Sequence, residues 1–248
     1  MPHVSAEAFI LGTHPLREKD RIVAFLTREH GVRRGVARGA RASRSAFGGA
    51  LEPMTEARVS WFEKEGRELS SLDSVDPTRP SFPLTGDLPT ALLLPSLAEA
   101  LQTFVADNEP AEPFYRLARH AMDALFGGAS ASHVSAYFDL WVLKLSGLLP
   151  IPSECASCAE PLPPSGPLDF DETRPGFVCA GCRGAGVLRL SAAGAAALRS
   201  FLTHPISESP APAAVLEVAE VARRARRHFL GHELRSRRVL SAVLGGPR

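Results

Sequence analysis

Lysine is nearly absent from this chain, with three residues against 25 arginines in 248. In an Ala- and Pro-rich sequence that ratio looks like a GC-rich coding bias. Arginine in place of lysine therefore says little about a ligand, and where the arginines cluster says more. Trp and Tyr are also few, two of each beside 13 Phe, and aromatics for base stacking are sparse in the basic N-terminal zone. Near the basic N-terminal segment only Phe47, Trp61 and Phe62 are available, and Trp61 reads as core before stacking platform. No apolar run reaches the ~18–20 residues of a membrane span; the nearest, residues 90–98, is interrupted by Pro95. The opening Met1-Pro2-His3-Val4-Ser5 lacks a basic region followed by an apolar one, so no secretory leader is expected. A soluble cytoplasmic protein without a membrane partner follows as the expectation.

Catalytic constellations are missing too. The eight histidines are scattered, and His228 and His232, four apart, lack the Glu that a metalloprotease helix places after its first His. They read as polar residues on a basic helix. Gly35, Gly39, Gly48 and Gly49 do not lead into the Lys-Ser/Thr ending of a phosphate loop, so no ATP site is expected. Asp169, Asp171 and Glu172 read as a solvated loop. No catalytic residue is assigned, and the chain is not expected to be an enzyme.

Cysteine is scarce as well, but its placement is specific. All four fall into two C-x-x-C pairs, Cys155/Cys158 and Cys179/Cys182, twenty residues apart. This is zinc-ribbon spacing: each knuckle offers two thiolates, and together they complete one tetrahedral site. Pro150 and Pro152 break the preceding helix, and Gly176 and Gly181 suit turns around the second knuckle. One Zn2+ is expected, with disulfides or a lost site as the alternatives. A site closed by four thiolates leaves no position for water or substrate, so the ion is read as structural.

The net charge of +1 conceals segregation. Residues 17–49 hold nine basic side chains against three acidic, and residues 223–248 hold eight against one. Between them, residues 80–222 hold seven basic against fifteen acidic. Two basic zones suit a polyanion.

Periodicity divides the chain. Strands are predicted at residues 4–11, 21–27, 32–38, 54–62 and 68–75, with turns at His30-Gly31 and Glu65-Gly66 and a loop over 39–49. Residues 21–27 are apolar on both faces, which requires a closed or covered sheet. Five short strands suit a small barrel of OB type, with an SH3-like barrel as the competing geometry. From residue 80 the period becomes helical: 90–105, 113–126 with Pro113 at the start, and a third helix capped by Ser132. After the ribbon, Ser191 caps a helix to 202, Pro205, Pro210 and Pro212 mark a linker, and one last helical stretch begins at Ala213. The fold class is α+β, with four segments: an N-terminal five-stranded OB-type barrel (1–80), helices (81–150), an inserted four-cysteine zinc ribbon (151–188) and further helices with a basic C-terminus (189–248).

Arg33, Arg34, Arg38, Arg41 and Arg44 run from a strand into a loop, with no acid between Val32 and Leu51. Such a row can track a nucleic-acid backbone, with affinity that falls steeply with salt. The C-terminal arginines fit phosphate, an acidic peptide, or a cover for the acidic helical region.

Several stretches carry a family likeness. They are Pro15-Leu16-Arg17-Glu18-Lys19-Asp20-Arg21-Ile22-Val23, Leu26-Thr27-Arg28-Glu29-His30-Gly31, Val36-Ala37-Arg38-Gly39-Ala40-Arg41, Phe47-Gly48-Gly49-Ala50-Leu51-Glu52-Pro53 and Leu230-Gly231-His232-Glu233-Leu234-Arg235-Ser236-Arg237-Arg238-Val239-Leu240. With the cysteine ribbon, these resemble the bacterial recombination mediators of the RecO family. The resemblance implies a non-enzymatic protein of recombinational repair in the RecF pathway. Such a protein binds single- and double-stranded DNA, anneals complementary strands, acts with RecR, recognises the C-terminal tail of the single-strand binding protein SSB and assists RecA loading. An acidic tail ending in an apolar residue needs a pocket rimmed by cations, and Arg116, Arg119 and Lys144 are the first candidates. The alternative from the residues alone is an RNA-binding OB and zinc-ribbon protein of translation or transcription.

Overall fold

The structure, a computed structural model, describes residues 3–42, 47–63, 69–206 and 210–244. Arg44 and the turn expected at Glu65-Gly66 lie outside the described residues.

Alternating apolar residues build five strands: β1 (His3–Pro15), β2 (Arg21–Thr27), β3 (Gly31–Ala37), β4 (Glu56–Phe62) and β5 (Ser70–Arg79). They close into a barrel in the order β1-β2-β3-β5-β4, the five-stranded OB-type arrangement expected. Among the described residues the seam is short: β3 and β5 run parallel and pair at Gly35–Ser70 and Val36–Ser71. Ile10, Val23, Phe25, Val59 and Trp61 fill the interior. Trp61 is fully buried with its ring 5.3 Å from that of Phe25, so it is core and not a stacking platform.

β2 is apolar on both faces because both faces are covered. Val23 and Phe25 belong to the interior cluster, and Leu26 and Val32, paired on the outer side, are also fully buried. Burying such a side chain contributes about 1.5–3 kcal/mol, so an uncovered outer face would cost the barrel dearly. Helix α1 (Leu88–Phe104) lies against β1, where Gln102 Nε2 donates to the Leu11 carbonyl at 3.2 Å. Asp87 caps α1 by accepting from the Thr90 N–H. From the next helix, α2 (Glu112–Phe126), the Tyr115 ring reaches 5.2 Å from Phe9.

The connector between α1 and α2 is stitched to the start of β3. The Val32 N–H donates to the Ala106 carbonyl at 3.4 Å and the Asn108 N–H to the Val32 carbonyl at 3.0 Å. Gly31 is needed there twice over. Its φ is +58°, and a Cβ would stand 2.1 Å from the Glu109 carbonyl oxygen.

By compactness the chain divides into Met1–Met122 and Asp123–Arg248. Secondary structure changes from sheet to helix near residue 80, but α1 and most of α2 stay with the barrel whose outer strands they cover.

The second unit holds α3 (Ala131–Leu145), α4 (Ala192–Thr203), α5 (Pro212–Leu230) and α6 (Arg235–Leu244), with α5 packed on α3 and α4. Between α3 and α4 stands a sheet of β6 (Leu168–Asp171), β7 (Gly176–Val178) and β8 (Leu188–Leu190), in the order β7-β6-β8. Three expectations change. The cap of α3 is Ser130, accepting from the His133 N–H, and not Ser132. The last helical stretch is two helices, because Gly231 at φ +73° ends α5 in a left-handed cap. Asp169 and Asp171 are not on a solvated loop but are buried in β6, where Arg183 Nε donates to Asp169 at 3.0 Å and Thr173 to Asp171 at 2.7 Å. No helix among the described residues is long and apolar enough to cross a membrane.

Candidate metal centre and basic surface

The two knuckles converge. The Sγ atoms of Cys155, Cys158, Cys179 and Cys182 lie within 4.8 Å of one another, and Cys158 and Cys179 are 3.8 Å apart. A tetrahedral site with metal–sulfur distances of ~2.3 Å has edges of about 3.8 Å, so the four sulfurs fit one tetrahedral ion. Backbone amides prepare the site: the Cys179 N–H donates to Cys155 Sγ at 3.4 Å, and this contact brings the Cys155 thiol down to about 6. The neighbouring Cys158 and Cys179 sulfurs push Cys182 up to about 12. Four thiolates this close repel one another, and a divalent cation reverses that repulsion. The first knuckle turns through Ala159 at φ +60°, its N–H bonded to the Cys155 carbonyl at 2.9 Å. Here an alanine occupies a left-handed position where glycine is the unstrained residue.

The five arginines proposed from the sequence fall into different environments. Arg33 is largely buried: it pairs with Glu63, donates to Asn108 Oδ1 at 2.8 Å and lies 5.9 Å from the centre of the Trp61 ring. Arg34 pairs with Asp107 of the connector. Arg38 is exposed and has no side-chain partner among the described residues. Arg41 is exposed, and its Nη1 donates to the Arg17 carbonyl at 3.4 Å.

Arg38 and Arg41 have neighbours that the linear reading left out. β2 starts opposite the end of β3, with Arg21 paired to Ala37, so the loop before β2 and the loop after β3 meet. The Arg41 N–H donates to the Lys19 carbonyl and the Gly39 N–H to Asp20 Oδ1, both at 3.0 Å. Arg17 and Lys19 are exposed and join Arg38 and Arg41 in one cationic cluster, beside Glu18 and Asp20. Hairpin pairing of the two strands is the signal that would have united these loops.

The three cations proposed as a pocket rim fall in both units, Arg116 and Arg119 in the first and Lys144 in the second. Arg116 is exposed on α2. Arg119 pairs with Glu7 at 3.2 Å and donates to the Tyr115 hydroxyl at 3.1 Å. Lys144, on α3 of the second unit, donates to the Leu202 carbonyl at 3.1 Å and lies over Trp141, with its pKa lowered by burial.

Most C-terminal arginines neutralise acids of their own unit. Arg226 and Arg237 are buried at 4% and 3% exposure and both reach Asp139 of α3, Arg226 at 2.7 Å. Arg226 also pairs with Glu233 at 2.8 Å, and Arg237 donates to Ser135. Arg223 and Arg224 share Glu220. Beside this network is a cavity walled by Val215, Leu216, Leu240 and Leu244, with Arg223, Arg226 and Arg237 at its polar side.

Fold and site together define an OB-barrel protein that carries a four-cysteine ribbon able to hold a metal ion and a cationic loop cluster. Residues 1–81 match the family model described as "Recombination protein O N terminal", and residues 86–238 match "Recombination protein O C terminal". The DNA repair protein RecO of Anaeromyxobacter sp. (strain K) is 36% identical over 250 residues, covering 98% of each chain. That of Koribacter versatilis (strain Ellin345) is 40% identical over 157 residues, covering 63% of this chain and 64% of that one. That of Syntrophus aciditrophicus (strain SB) is 27% identical over 248 residues, covering 96% of this chain and 95% of that one. The chain belongs to the RecO family of DNA repair proteins.

Proposed function

We propose that this protein is a non-enzymatic mediator of recombinational repair that binds single- and double-stranded DNA through the barrel loops. The observation that carries the reading is the cluster of Arg17, Lys19, Arg38 and Arg41, whose side chains make no ion pair among the described residues. Cations without internal partners release phosphate counterions at no internal cost, which supplies affinity without sequence preference. Annealing needs charge neutralisation and strand proximity, and it requires no nucleotide hydrolysis. Arg33 and Arg34, already engaged with acids, come second in this reading.

The ion of the ribbon is zinc in this reading: four thiolates in a tetrahedron favour it, and a closed site makes it structural. The SSB tail, acidic with an apolar end, fits the α3–α5–α6 cavity better than a rim of Arg116, Arg119 and Lys144, because apolar walls and arginines adjoin there. With RecR, such a protein assists RecA loading on SSB-coated DNA, in the cytoplasm at the nucleoid.

The test is annealing of complementary strands, with and without SSB, by the parent and by Arg38→Glu/Arg41→Glu. The variant is expected to bind unrelated sequences more weakly alike, with a salt slope lower by about 0.7–0.9 per lost phosphate contact. Unchanged binding and slope would refute the loop cluster as the interface.

A further inference from the structure

We propose that the α1–α2 connector is an acidic gate over Arg34: Asp107 holds the guanidinium that a nucleic-acid phosphate takes when it binds the barrel. The cationic surface then has a latent extension along β3. This inference rests on the reading of the barrel loops as a nucleic-acid surface.

The two engaged arginines differ in how readily they can be released. Arg33 has 16% of its side chain exposed and makes three contacts, to Glu63, Asn108 and the Trp61 face. It is an anchor. Arg34 has 36% of its side chain exposed and Asp107 47%, and each has only the other as its side-chain partner among the described residues. A solvated pair of this kind is weakly held, so a phosphate can replace the carboxylate. The connector need not leave for this to happen. It is fastened by main-chain bonds, from Val32 to Ala106 and from Asn108 to Val32, so the Asp107 side chain can turn away while the backbone stays. Arg34 also lies in line with the free cluster. Four residue steps separate it from Arg38, at most about 13 Å, a short distance beside the length of the ~4–16 nucleotides that an OB fold engages.

The gate predicts a gain of function. The salt dependence of oligothymidylate binding is measured by fluorescence anisotropy for the full chain and its variants. Asp107→Asn is expected to steepen the slope by about 0.7, which makes the loss of affinity between 50 and 200 mM salt roughly 2.5-fold larger. Asp107→Asn/Arg34→Ala should return to the parental slope, because the added contact is made by Arg34. Glu29→Gln, the same charge change at an exposed residue without a partner among the described residues, should leave the slope unaltered. A parental slope in Asp107→Asn, or an equal steepening in Glu29→Gln or in the double variant, overturns the gate. Arg38→Glu/Arg41→Glu separates the two readings. If that variant loses affinity while Asp107→Asn does nothing, the gate alone fails; if it binds like the parent, the barrel surface and the gate fail together.

Discussion

Replacing Asp139 by Asn removes one charge, keeps the side-chain shape, and leaves two buried guanidiniums without their shared carboxylate. Arg226 retains Glu233, at 2.8 Å, whereas Arg237 retains its bond to the neutral Ser135. All three members of the cluster are over nine-tenths buried. Removing one partner of a buried ion pair costs about 3–5 kcal/mol, far more than the ~0–1 kcal/mol of an exposed pair. For a unit of this size that corresponds to a fall in Tm of about 10–20 °C. The assay is thermal and urea unfolding followed by circular dichroism. Arg237→Met is measured alongside, since it leaves Asp139 paired with Arg226 and should cost less. A Tm for Asp139→Asn within about 3 °C of the parent would refute the reasoning, because it would show that water already reaches the cluster.

Three further outcomes follow from the geometry. Ala159→Gly should stabilise the ribbon by about 1 kcal/mol, since a left-handed alanine costs about 1–2 kcal/mol; slower chelator-induced metal loss would report it. Elemental analysis should find one zinc per chain, and Cys179→Ser should abolish it and lower the Tm of the second unit; a metal-free, reduced and equally stable parent would contradict this. Burial alone would raise the Glu220 carboxyl, but Arg223 and Arg224 hold it below its ordinary value. Its contribution is therefore complete above the unfolded value near ~4.3 and is lost as pH falls through the lower folded value. Glu220→Gln should flatten the acid limb of a stability–pH curve, and an unchanged limb would show that the pair does not form.

The barrel was legible in the sequence because strands write themselves locally. The double-sided apolarity of β2, for example, reflects burial of its outer face as well as of its interior face. The four-cysteine cluster was legible because the cysteines come in pairs three residues apart and name each other. The arginines were not, since an arginine's state depends on partners far along the chain. Glu63 is 30 residues from Arg33, Asp107 is 73 from Arg34, and Asp139 is 87 from Arg226. A row of cations without interspersed acids therefore looked uniform until folding brought acids to some members and not to others. The cap of α3 was misplaced for a smaller reason: two serines stand two residues apart, and only backbone geometry at Ser130 lets its hydroxyl meet the His133 N–H.

The connector stitched to β3 has a practical consequence for dissecting the molecule. Among the described residues the β3–β5 seam has two residue pairs, and an unpaired strand edge templates association with other strands. Residues 106–108 bond to the start of β3, and α1 lies against β1. A fragment cut at residue 81, where the first family segment ends, would expose the edge and the buried outer side chains Leu26 and Val32 together. Such a piece should aggregate. A fragment that keeps residues 1–122 retains the whole first unit, and in it the proposed binding by the barrel can be tested apart from the ribbon.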